Sequence, residues 1–64
     1  MAATAFSVVL KDIEAKIESM TRALADGAAK DHAEYKSMTG EIRGLSLAHS
    51  FVTDLVRKLE RDDE

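Results

Sequence analysis

Sixty-four residues carry 45% hydrophobic and 33% charged side chains, a net charge of -3 and no cysteine or proline. A chain this short forms at most one small domain with a thin core, which ordinarily needs a staple, a metal or a partner. The missing cysteines exclude disulfides, thiolate metal sites and thiol nucleophiles, the apolar content excludes a disordered tail, and the acidic balance argues against a general nucleic-acid coat.

The opening run Ala2 to Leu10 is apolar but has no basic flank, and Lys11-Asp12 interrupts it far short of a spanning length, so neither a signal peptide nor a membrane helix is expected. Ala2 after Met1 and the Asp62-Asp63-Glu64 end offer no lipidation signal. Within this segment Phe6, Leu10, Ile13, Ile17, Met20 and Leu24 recur at alternating steps of four and three, a heptad stripe with charged residues between its members. Asp12 to Lys16 and Glu18 to Arg22 place an acid four residues before a base, the favourable orientation on an exposed helix face. The spacing predicts a first helix over about 4–26. Gly27 follows the stripe and suits a left-handed closing residue.

After a short turn over 27–30, Asp31-His32-Ala33-Glu34 reads as a helix start. Asp31 is placed to accept free amide hydrogens and Glu34 to reach back, as in a capping box. Tyr35, Met38, Ile42, Leu45, Ala48, Val52, Leu55 and Leu59 then recur at steps of three or four, predicting a second helix over about 31–61 with a frayed acidic tail at 62–64. A connection this short reverses the chain. The expected fold is all-α, a single antiparallel two-helix hairpin completed by oligomerisation or by docking on a larger assembly. Its seam is assigned to Leu10, Ile13, Ile17, Met20 and Leu24 of the first helix and to Tyr35, Met38, Ile42, Leu45, Val52, Val56 and Leu59 of the second.

The second helix is apolar over more than its seam. Gly40, Gly44, Leu47 and Phe51 point roughly 150° away from it at about 100° per residue, with Ala48 and Leu55 bridging the two patches. Two glycines inside a helix cost roughly 1 kcal/mol each against alanine, and their small-xxx-small spacing lets another backbone come close. A partner interface is therefore assigned to Gly40, Gly44, Leu47, Phe51 and Leu55. A separate strip of Lys36, Arg43, Ser50 and Arg57 recurs every seventh residue, with Arg61 and His32 near it and Asp54 as its one acid. Its basic members Lys36, Arg43, Arg57 and Arg61 offer a surface to an acidic partner, although a solvated face is the commoner meaning of such a strip. No aromatic is interleaved for base stacking, so nucleic acid is not an expected partner.

Catalytic chemistry has no visible carrier. His32 and His49 lack metal-ligand spacing, no nucleophile elbow or phosphate-cradling loop surrounds the serines, and Met20 and Met38 fall at core spacing. His49 falls on the seam side, where a satisfying neighbour is expected. No catalytic, cofactor-binding or metal-ligating residue is assigned, and no small-molecule substrate or membrane partner is expected.

The run Gly27-Ala28-Ala29-Lys30-Asp31-His32-Ala33-Glu34-Tyr35, followed by Gly40-Glu41-Ile42-Arg43-Gly44-Leu45 and a terminal apolar and charged helix, resembles small proteins encoded among the head and tail structural genes of tailed bacteriophages. The likeness covers roughly residues 27–59, about half the chain. It implies a non-enzymatic virion or assembly component near the capsid, portal or head-to-tail junction, made in the bacterial cytoplasm and carried in the particle. The implied partners are further copies of the chain or a larger phage structural protein. Two other readings stand beside it: a small phage regulator that binds a host protein or nucleic acid through the basic strip, and a free-standing four-helix dimer with the back of the second helix as its seam.

Overall fold

A computed structural model describes the backbone of residues 2–62 and the side chains of residues 4–61. Two helices account for nearly all of it: α1 over Ala2–Ala25 and α2 over His32–Asp62, packed on each other as a hairpin with no strand among the described residues. α1 begins two residues before the stripe predicts and ends one residue before, while Asp31 stands just outside α2 as its cap. Fraying is expected over 62–64, but α2 runs one residue past the expected end and includes Asp62; Asp63 and Glu64 lie outside the described residues.

Both ends of the connection are closed by local chemistry. Gly27 has φ +85°, the left-handed region in which any side chain is strained. Its amide donates to the Leu24 carbonyl at 3.0 Å and the Ala28 amide donates to the Ala23 carbonyl at 2.9 Å. Those two bonds form a Schellman closure and satisfy carbonyls that the helix end would otherwise leave open. Three residues on, the Glu34 amide donates to Asp31 Oδ1 at 2.8 Å, the N-cap bond that the sequence implies. The Glu34 carboxylate reaches one residue further back than a standard capping box and accepts from the Lys30 amide at 2.7 Å.

The seam is lined by Phe6, Leu10, Ile13, Ile17, Met20 and Leu24 from α1 and by Met38, Ile42, Leu45, Ala48, His49, Val52 and Val56 from α2, all half-buried. One bond fixes its register: His49 Nε2 lies 2.7 Å from Glu14 Oε2. Antiparallel helices of equal rise advance residue for residue, so Leu10 is within about one residue of level with Val52, Ile17 with Leu45, and Phe6 with Val56.

The same register corrects two seam assignments. Tyr35 is 52% exposed. The end of α1 at Ala25 is level with Met38, so the first turn and a half of α2 projects beyond it and Tyr35 has no α1 side chain opposite. Leu59, 40% exposed, lies level with Thr4, a small and exposed residue of the first turn of α1.

The hairpin is long and thin, 50 × 15 × 12 Å, with a radius of gyration of 14.9 Å, against about 11 Å for a compact chain of this length. Its accessible surface is 5081 Å², whereas a compact monomer of 7.0 kDa exposes about 4,000 Å². Among the described residues no side chain is fully buried.

Candidate interaction surface

The surface of interest lies on α2, on the side away from α1. A helix that presents one heptad stripe to one neighbour covers about a third of its circumference, and α2 has apolar or small residues over more than half. Phe51 is the most exposed large apolar side chain described, at 71%, with Leu47 at 55% and Leu55 at 42% beside it. Steps of four along the helix stack Leu47, Phe51 and Leu55 over successive turns, and Gly44 and Gly40 continue the line toward the N-terminus. A β-carbon built on either glycine meets nothing within 4 Å. Neither glycine is required by packing within the hairpin, so their helix cost is not recovered there.

The five residues assigned to a partner interface thus share one continuous, uncovered strip. Seam residues and strip residues occupy different sides of the same helix. Val8 and Val9 on α1 are also exposed, but they stand next to each other and so point about 100° apart. They do not make a stripe.

The basic residues occupy the flank beside this strip. Lys36, Arg43, Arg57 and Arg61 are all exposed. Lys36, Thr39, Gly40 and Arg43 line a shallow open groove of about 280 Å³. The Thr39 hydroxyl donates back to the Lys36 carbonyl at 3.0 Å, so it is already engaged with the helix backbone. Lys36 and Arg43 make no ion pair among the described residues; the pairs found are Glu18 with Arg22 at 2.8 Å and Glu14 with His49. The Glu18–Arg22 pair lies in a second open groove, along α1, with Ala15, Ser19, Ala23 and Asp26.

Among the described residues, His49 is the one α2 polar side chain that bonds across the hairpin, to Glu14 of α1. Its side chain is one-third exposed and faces Glu14, while its own carbonyl accepts from the Thr53 hydroxyl at 2.8 Å. The sequence places His49 at the seam with an unnamed neighbour; Glu14 could have been named had the register been known. No group of three or more His, Asp or Glu side chains suited to a metal ion occurs among the described residues, and no described helix is long and apolar enough to cross a membrane.

Fold and surface together define a class: a two-helix hairpin whose second helix carries a seam on one side and an uncovered apolar strip on the other. No protein-family model, curated protein or solved structure matches the chain.

Proposed function

We propose that the chain is a non-enzymatic interaction element that works by helix–helix packing, with α1 bracing α2 and the outer strip of α2 as the docking surface. One observation carries this reading: the surface is about 1,000 Å² larger than a compact chain of this mass would expose, and Leu47, Phe51 and Leu55 on it are aligned along one side of α2. A standard interface covers about 800 Å² per partner, so the excess is of the size that one docking event removes. The resemblance of residues 27–59 supplies the setting, a phage particle or its assembly, with contacts at the capsid, portal or head-to-tail region. Recovery of the chain in fixed ratio with purified particles tests that setting, and its absence from them removes it.

The docking role itself is tested on the isolated hairpin. Under conditions where light scattering gives the mass of one chain, far-UV circular dichroism is followed through a thermal melt. The hairpin alone should melt broadly and at low temperature, because its seam leaves every side chain partly wet. A sharp cooperative melt of the single chain would show that the fold needs nothing on its second face.

A second reading rests on the groove of Lys36, Thr39, Gly40 and Arg43, whose two cations are free to meet an acidic protein or a phosphate backbone. It predicts association that weakens steeply with salt and with neutralisation of Lys36, Arg43 and Arg57. Salt-insensitive association removes it.

A further inference from the structure

We infer that the occupant of the α2 strip is a second copy of this chain, packed antiparallel about a two-fold axis that passes between Leu47 and Ala48. The inference rests on the docking role proposed above and adds the partner, its direction and its register.

The order of side-chain sizes along the strip carries it. Gly40 and Gly44 lie toward the N-terminus, Phe51 and Leu55 toward the C-terminus, and Leu47 lies between them. An antiparallel copy centred between Leu47 and Ala48 sets Phe51 of each chain over Gly44 of the other and Leu55 over Gly40. Each large side chain then meets open space of the kind the structure shows, where an added β-carbon meets nothing within 4 Å. The two ends of such an interface are identical, so the two axes diverge equally on either side of the two-fold at whatever crossing angle the packing ridges set. A parallel copy would set glycine on glycine and Phe51 on Phe51. It would need the axes close at one end and wide at the other, leaving Phe51 and Leu55 splayed apart or the glycines unfilled.

Charge sets one attractive and one repulsive contact at each end of such a pair. Under this two-fold the same flanks meet, as they do for any isologous antiparallel pair. Asp54, the one acid on the basic flank, comes level with position 41 of the facing chain, two residues or about 3 Å along the axis from Arg43. Both are exposed and stand on the flank that meets its equivalent, so Arg43 and Asp54 face each other at each end. Arg57 likewise comes level with position 38, two residues from Lys36, so like charges also meet there and the order of side-chain sizes, not charge, selects the partner. The excess surface of the single hairpin is also what one isologous interface of ordinary size covers.

The absence of cysteine makes the register directly testable. Ser37 and Lys58 come level across the proposed axis, whereas Ser37 stands 21 residues, roughly 31 Å, from Ser37 of the facing chain. Ser37→Cys chains alone and Lys58→Cys chains alone should give no dimer with a short bismaleimide. A mixture of the two should give the mixed cross-linked dimer. The paired variant Gly44→Phe with Phe51→Gly reverses the sizes and keeps the fit. Gly44→Phe alone and Phe51→Gly alone should each weaken dimerisation by more than about tenfold, and the pair should recover most of it.

Cross-linking within either single-cysteine population, or failure of the paired variant to recover dimerisation while circular dichroism shows it helical, would overturn the antiparallel register. A chain that stays monomeric at millimolar concentration overturns the second copy. If that monomer melts broadly, the docking role survives with a different partner; if it melts sharply, both fail.

Discussion

The three glycines make the same substitution report opposite things. Each lies where an added β-carbon meets nothing within 4 Å, so glycine to alanine changes no contact in the single hairpin and acts through the backbone alone. At Gly27, with φ +85°, alanine is forced into the left-handed region at about 1–2 kcal/mol, offset by about 0.4–1 kcal/mol of lost freedom in the unfolded chain. The net is a destabilisation of about 1 kcal/mol. At Gly40 or Gly44, inside α2 with φ in the ordinary range, alanine is favoured by about 0.8–1.0 kcal/mol. A shift of 1 kcal/mol changes the folded-to-unfolded ratio by a factor of about five. In a marginal hairpin, that moves a half-folded population to roughly one-sixth or five-sixths folded. The assay is helix content by circular dichroism in a Phe51→Ser background, where the strip has lost its largest anchor and the chain is kept single. Gly27→Ala should lower the helix content, and Gly40→Ala and Gly44→Ala should each raise it. Equal signs at all three positions would refute the reasoning. Loss of helix on Gly44→Ala in the single chain would mean that Gly44 is already in contact within the hairpin, contrary to the structure.

Asp31→Ala removes the acceptor of the Glu34 amide and should cost about 1 kcal/mol, read as a lower urea midpoint, with Asp31→Asn retaining most of the stability. Ile17→Ala, at the half-buried seam, should cost about 1–2 kcal/mol, below the range for fully buried positions. Val8→Ala, on the exposed side of α1, should stay within about 0.5 kcal/mol. A double-mutant cycle on Glu14 and His49 should show a coupling below about 1 kcal/mol, because both side chains remain partly in water. Phe51→Ser should lower the thermal midpoint of the associated protein by more than Val8→Ser. Both residues are exposed in the single hairpin, so equal effects would argue that the strip is uncovered in solution as well.

Much of this fold was legible because its signals are local. The alternating four and three steps from Phe6 to Leu24 lie within one helix, and the stripe they form is the half-buried face of α1. Gly27 and the Asp31–Glu34 box act over a few residues, so their bonds follow from spacing alone, apart from the one-residue overreach of Glu34 to Lys30. Register between the helices is different. It depends on how far the loop lets α2 start beyond the end of α1, and no periodicity records that offset. Tyr35 and Leu59 keep the right helical phase for the seam, yet both lie at levels where α1 offers nothing large to pack against. The Glu14–His49 bond was hidden for the same reason. The outer strip was legible as a surplus: α2 is apolar over a wider arc than one neighbour can use, and the structure finds that surplus uncovered. Its occupant is a property of two surfaces, and the size order from Gly40 to Leu55 becomes informative once the helix is known to run unbroken from His32 to Asp62.

The most direct test is sedimentation equilibrium on the unmodified chain across a wide concentration range, with the thermal midpoint read by circular dichroism on the same samples. A strip covered by a second copy predicts a mass that rises from one chain to two and a midpoint that rises with it, as mass action requires when folding and association are linked. Phe51→Ser should hold the mass at one chain throughout. A mass of one chain at every concentration, with a sharp melt whose midpoint does not move, would contradict it.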